Sequence, residues 1–284
     1  MPITHLMDAT RLKEMFQVAA ALPVAPQILS ELTELLLDIQ AETAEVCALL
    51  RQDGALASAI LRVANSPYYG CGGLGSVEDA VGRVGFREVH RLVGRAVTGL
   101  LADRALPFYR VEPETLREHM IAAATVTEFL AERTAFNSRH AYTAGLLRPI
   151  GMMVLDRLAR TTLASAHIFQ IDRDLSYTSW EDRVMSVRNE AVSAILMTEW
   201  RFADDVIEAV RGHRSTGLAQ VMRPEAALLH LALSVVEELG LGLPGEVAQW
   251  EVTPERLALA GLQEDHMVAA LEYGRRHQAG LISA

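Results

Sequence analysis

Little in this chain points to a chemistry by abundance. Of 284 residues only two are cysteine, one is lysine (Lys13), and aromatic residues make up 6%. Two cysteines, Cys47 and Cys71, cannot form a disulfide framework in a chain of this length. Cys47 falls beside Val46 and Leu50 at helical spacing, where a free cysteine acts as a small hydrophobe. Cys71 lies in a glycine-rich stretch and reads as a loop thiol. Runs of Lys and Arg are missing too. The net charge is −10 and the pI about 5.4, whereas nucleic-acid binders present a basic face that supplies much of their affinity. No nucleic-acid partner is expected, and the near-exclusive use of arginine reflects codon bias before phosphate recognition. No apolar run approaches the ~20 residues a membrane-spanning helix needs. The start, Met1-Pro2-Ile3-Thr4-His5-Leu6-Met7-Asp8, lacks the basic and apolar regions of a signal peptide. A cytoplasmic protein without a membrane partner is expected.

Half of the residues are hydrophobic, mostly Leu, Ala and Val, which suits packed helices better than a sheet. Leu12, Met15, Phe16 and Ala19 follow the i, i+3, i+4, i+7 spacing of an amphipathic helix. Leu22-Pro23-Val24-Ala25-Pro26 breaks it, because proline cannot sit inside a helix. The pattern restarts at Ile28, Leu32, Leu35 and Leu36, and again over 43–50 and from Asp53, a capping residue. Ser76-Val77-Glu78-Asp79 has the form of a capping box, and Gly85 suits a left-handed C′ position. Further helices are expected over 86–104, 114–133, 162–175, 180–199, 203–213, 224–239 and 263–278. Ser179-Trp180-Glu181-Asp182 reads as a second cap, and Thr253-Pro254-Glu255 as a helix start with proline at the first position. Neither strand alternation nor a solenoid repeat is evident. The fold class is all-α.

Five segments in order carry a resemblance: Leu22-Pro23-Val24-Ala25-Pro26, Asp53-Gly54-Ala55-Leu56, Leu61-Arg62-Val63-Ala64-Asn65-Ser66-Pro67-Tyr68-Tyr69-Gly70, Ala80-Val81-Gly82-Arg83-Val84-Gly85, and Glu199-Trp200-Arg201 with Ile207, Val210 and His213. Together they resemble the HDOD family, the HD-related output domain of bacterial signalling proteins, over about residues 15–215. The resemblance implies a multi-helix fold with an N-terminal helical half, about 15–105, and a half like an HD phosphohydrolase, about 113–215. Residues 216–284 would then be additional C-terminal helices packed on it.

In the helical phosphohydrolases that this second half resembles, the stretch matching residues 145–151 reads Gly-Leu-Leu-His-Asp-Ile-Gly, and its His-Asp pair holds a divalent metal. Here it reads Gly145-Leu146-Leu147-Arg148-Pro149-Ile150-Gly151. Arginine offers no lone pair and proline no side-chain donor or acceptor. By the same register His119 takes the place of the first metal-binding His, His213 keeps a further one, Arg214 replaces the next, Asn189 stands where a His often does, and Leu233 takes the last Asp. A hydrolase site needs converging His and carboxylate ligands around a metal-bound water. No catalytic residue, metal or cofactor is therefore expected.

Two readings of the remnant stay open. His119, Arg148, His213 and Asn189 could be buried or capping residues, His213 as a cation at a helix C-terminus. Alternatively, Arg148, His119 and His213 form an anion pocket, since arginine forks suit phosphate. The residues Asn65, Ser66, Tyr68 and Tyr69 are an interaction-loop candidate, expected at the seam of the two halves; tyrosine offers contact area plus a hydroxyl. The resemblance implies a non-catalytic signalling protein meeting partner proteins in trans, since too few residues precede the motifs for an attached receiver domain. It also implies a link to cyclic-di-GMP or motility pathways, with a homodimer left open. A sensor of a nucleotide or phosphate ligand is the rival, and an atypical metal-dependent phosphodiesterase the weaker third.

Overall fold

The computed structural model describes residues 9–20, 25–38, 41–66, 73–214 and 222–282. Among them the chain is all-α, and the only β feature is an isolated bridge between Leu106 and Val111. It divides into two compact units, residues 23–101 and residues 1–22 with 102–284.

The first unit contains α2 (Ala25–Leu35), α3 (Thr43–Leu50), α4 (Gly54–Ala64), α5 (Val77–Val84) and α6 (Phe86–Leu101). Its starts follow the capping chemistry read above. Asp53 Oδ1 accepts from the Leu56 amide at 3.2 Å, and Ser76 Oγ accepts from the Asp79 amide at 3.1 Å. Gly85 ends α5 with φ +79 as expected, but its ψ of 159 lies outside the left-handed helical region. Leu29, Leu32, Val46, Cys47, Leu56, Ile60, Val89 and Val93 are buried, the i, i+3, i+4 positions that the periodicity marks. Each such side chain gains about 1.5–3 kcal/mol by leaving water.

The second unit holds α1 (Ala9–Ala20), α7 (Pro113–Ala131), α8 (Ser138–Leu147), α9 (Ile150–Thr162), α10 (Ile171–Asp174), α11 (Tyr177–Val184), α12 (Asn189–Glu199), α13 (Asp204–Gly212), α14 (Pro224–Glu238), α15 (Pro254–Ala260) and α16 (Glu264–Ile282). The N-terminal helix α1 packs against α9, so it belongs to the unit of residues 102–284 and not to that of the helices that follow it in sequence. The tail helix α14 packs on α7 and α13 and makes one unit with them. Proline opens α7, α14 and α15, where its missing N–H is one of the amides a helix leaves unbonded anyway.

Two expected helices are corrected here. Residues 162–175 form only a 3-10 turn, Ser165–His167, and the one-turn α10. The single helix over 180–199 is two, α11 and α12, because the Glu181 carbonyl takes both the Met185 and Ser186 amides and closes α11, with Ser186 at φ +57. The cap of α11 is Ser176, whose Oγ accepts from the Ser179 amide at 3.1 Å, three residues ahead of the expected position.

Candidate functional site

The site grows from the break that Pro149 imposes between α8 and α9. Proline at that point has no amide to continue the ladder. α8 therefore ends at Leu147, with Arg148 as its C-cap and Pro149 preceding α9. One hydroxyl serves both loose ends: Ser193 Oγ on α12 donates to the Arg148 carbonyl at 2.9 Å and accepts the Gly151 amide at 2.9 Å. Gly151 is required for that approach, since a Cβ there would lie 2.0 Å from the Asn189 carbonyl oxygen.

The break aims the Arg148 side chain inward, where it is 0% exposed. Its Nη1 donates to Glu246 Oε1 at 2.8 Å and its Nη2 to Glu246 Oε2 at 3.0 Å, a two-pronged arginine–carboxylate pair. The same Nη2 donates to His119 Nε2 at 2.5 Å. His119 Nδ1 in turn lies 2.9 Å from the Leu241 carbonyl. That pattern needs Nδ1 protonated and Nε2 bare, so His119 is neutral. Burial, with Arg148 beside it, lowers its pKa to about 4.

Arg214 closes the other side. It donates to Glu246 Oε1 and to Thr178 Oγ1, the latter at 3.0 Å, and its Nε lies 4.0 Å from Glu190 Oε2. Burial alone would raise the Glu246 carboxyl, but Arg148 and Arg214 outweigh it and hold it at about 2. Glu181 lacks such a partner. Burial and then the Glu190 charge push it up to about 7, against hydrogen bonds from the Tyr109 hydroxyl at 2.7 Å, the Asn189 amide at 2.9 Å and Asn189 Nδ2 at 2.8 Å. Trp250 floors the cluster, with the Arg214 and Arg148 guanidiniums 5.1 and 5.9 Å from its ring centroid and His213 stacked at 5.7 Å.

The structure thus joins His119 directly to Arg148 and places His213 on the same tryptophan. Asn189 serves the cluster through Glu181 and not through Arg148. The reading of His213 as a cation at a helix end is corrected. Burial and the two arginines drive its pKa well below the ordinary value, and its Nδ1 lies 2.7 Å from the Val210 carbonyl as a neutral ring. Glu246, Glu190, Glu181, Ser193 and Trp250 were not singled out from the sequence. A fully buried arginine signals that a carboxylate must exist, without saying that it comes from a turn near the end of the chain.

These residues do not fit a divalent metal. Both His119 nitrogens are engaged, the guanidinium of Arg148 stands where ligands would converge, and the nearest carboxylate is neutralised by two arginines. Among the described residues no group of three or more His, Cys, Asp or Glu could hold an ion. In the interaction-loop candidate, Asn65 follows α4 and clamps Leu74, with Nδ2 to the Leu74 carbonyl at 3.0 Å and the Leu74 amide to Oδ1 at 2.9 Å. Ser66 sits beside it, half-buried. Tyr68, Tyr69 and Cys71 lie outside the described residues. No helix among the described residues is long and apolar enough to cross a membrane.

The HDOD domain model matches residues 22–216. No curated protein matches the chain. Among solved structures, an HDOD domain protein with unknown function from Geobacter sulfurreducens is similar at 22% identity and a TM-score of 0.72, with 97% of each chain covered. A putative signal transduction protein from Marinobacter aquaeolei VT8 is similar at 22% identity and a TM-score of 0.70 over 93% of this chain and 59% of that one. A putative phosphohydrolase from Shewanella amazonensis SB2B follows at 22% identity and 0.61, over 95% and 96%.

Proposed function

The chain belongs to the HDOD family, and on that premise we propose that it is a non-catalytic regulatory protein of bacterial signalling that works through contacts with other proteins. The observation that carries this reading is the Arg148–Glu246 pair with His119 bonded to it. The point at which the resemblance puts a metal-binding His-Asp pair is taken by a guanidinium, and its counter-ion comes from the chain itself. A metal would have to displace a cation from a buried carboxylate. With the chemistry removed and the scaffold kept, contact with partner proteins in trans is the remaining use of the fold. A link to cyclic-di-GMP or motility signalling is part of this reading. A sensor for a nucleotide or phosphate ligand would require Glu246 to leave the pocket.

The test is metal content and hydrolysis together. Purified protein incubated with manganese, iron or magnesium and then desalted is expected to carry no stoichiometric ion and to leave cyclic dinucleotides intact. Arg148→His with Pro149→Asp is expected to stay inactive, because Leu233 and Asn189 remain non-ligands. About one bound metal per chain, lost on mutating His119, overturns the reading.

A further inference from the structure

The cluster around Glu246 contains more hydrogen-bonding capacity than that carboxylate uses. Arg148 Nε, Arg214 Nε, His213 Nε2, Asn189 Oδ1 and Glu190 Oε2 are all buried without a hydrogen-bond partner. A buried polar group left unpaired costs roughly 1–3 kcal/mol, so their gathering in one place in a well-packed unit calls for a cause. Two of them are N–H donors of the arginines whose Nη atoms hold Glu246, with Arg214 Nε 4.0 Å from Glu190 Oε2. The Asn189 and Glu190 oxygens are acceptors that an anion would not satisfy. Glu246 Oε1 serves both Arg148 and Arg214, and Oε2 takes the second Arg148 prong, so both carboxylate oxygens are engaged. A phosphate presents three or more oxygens with up to two charges, and two arginine forks suit that geometry.

The carboxylate is also carried by a thin piece of chain. In loop 243–250, Glu246 and Trp250 are buried, while Pro244, Val247 and Ala248 face solvent, Val247 at 61% exposure. The turn is held against Tyr177 by Gly245, where a Cβ would come within 2.3 Å of the ring. Ala248 takes φ +58 without being glycine, a strained conformation that the contacts around it must enforce. Its amide donates to Glu237 Oε1 at 2.7 Å, on a half-buried residue of α14. Glu246 therefore enters the pocket from the end of a single 3-10 turn, Pro244–Glu246, and not from an α-helix.

We propose that Arg148 and Arg214 form a phosphate-binding site, that Glu246 is its resident substitute, and that a phosphate group displaces it by lifting loop 243–250. This extends the sensor reading and is independent of catalytic silence. The occupant is a phosphate dianion, free or as the monoester end of a small molecule. Displacement would change the solvent-facing surface of Pro244, Val247 and Ala248, which gives a regulatory protein a ligand-dependent face.

The experiment compares wild type with Glu246→Gln and Glu246→Ala, using inorganic phosphate and adenosine monophosphate as probes in thermal unfolding against chloride of equal ionic strength. Phosphate salts stabilise many proteins without binding, so the readout is saturation. Both variants are expected to gain several degrees in Tm with saturation in the low millimolar range or below. Wild type is expected to respond at ten-fold or more higher concentration, because Glu246 competes. Adding Arg214→Gln to Glu246→Gln is expected to abolish the saturable part. Amides of 243–250 in wild type are expected to exchange faster with deuterium when the probe is present. Response to adenosine monophosphate below the phosphate concentration assigns the ester; response to phosphate alone assigns the free ion. Absence of saturable binding in both variants overturns the site. Binding by the variants with none by wild type overturns displacement, leaving Glu246 a fixed internal ligand. Neither result depends on metal content.

Discussion

Among the described residues, the unit of residues 23–101 buries Ser30, Thr33, His90 and Thr98 as its polar side chains, with no carboxylate and no guanidinium. The other unit buries Arg148, Asp156, Glu181, Glu190 and Glu246 along with His119 and His213. The first core could be assembled from hydrophobic pattern alone. The second contains ions whose burial costs several kcal/mol each unless they are paired and hydrogen-bonded. Opposite charges pair where Arg148 forks onto Glu246, whereas Glu181 and Glu190 are like charges that repel, so the cluster is stabilised on one side and opposed on the other. The two units thus separate an apolar core from a buried ionic cluster.

The largest contrast is expected from truncating one ion. Glu246→Ala leaves Arg148 buried against Arg214 and is expected to lower stability by about 3–5 kcal/mol. Leu56→Ala, a cavity in the apolar unit, is expected to lose about 2–5 kcal/mol. The discriminating measurement is urea unfolding at several pH values. The Leu56→Ala deficit should stay constant, whereas the Glu246→Ala deficit should shrink below pH 4.5, where the wild-type carboxyl begins to lose its advantage. Equal pH dependence of the two would erase the distinction between the units.

Ser193→Ala is expected to have an intermediate effect. It removes the hydroxyl that joins the Arg148 carbonyl to the Gly151 amide across the helix break, leaving two buried backbone groups unpaired, at about 1–3 kcal/mol. Ser193→Cys or a bound water restoring most of that stability would mean that the bridge adds little.

The smallest effect is on the slope of stability with pH. Glu181 holds its proton to about 7 folded against an ordinary 4.5, so its contribution is present at low pH and lost as pH rises from about 4.5 to 7. His119, at about 4 folded against 6.5, acts oppositely: its contribution is lost as pH falls from 6.5 towards 4. The two partly cancel between pH 4.5 and 6.5. Glu181→Gln is expected to expose the His119 limb, so that stability of the second unit rises more steeply with pH in that window. An unchanged slope would mean Glu181 titrates normally.

Much of the frame was legible in the sequence. Helical periodicity, the proline start at Pro254 and the break forced by Pro149 are local effects, set by residues within one turn of each other, whereas Pro113 reads as loop and in fact opens α7. The cap at Ser76 and the thiol of Cys47 in the core belong to the same class. The split at Met185–Arg188 was not legible, because no proline or glycine marks it; the Glu181 carbonyl taking two amides is what ends α11. Nor was the counter-ion. Glu246 is 98 residues from Arg148, in a turn that looks like any Pro-Gly turn, and only the fold brings the pair together. The charge state of His213 failed for a related reason, since a helix end reads as exposed until Trp250 is placed over it.

The pairing of Arg148 with Glu246 is tested most directly by a double-mutant cycle, with Arg148→Met, Glu246→Gln and the double variant unfolded in urea at pH 7. If the pair holds the former metal position, the two losses should be far from additive. The expected coupling is about 2 kcal/mol or more, with the double variant more stable than at least one of the single ones. Additive losses would mean that the two side chains stabilise the protein separately, and would contradict the replacement of the metal by an internal ion pair.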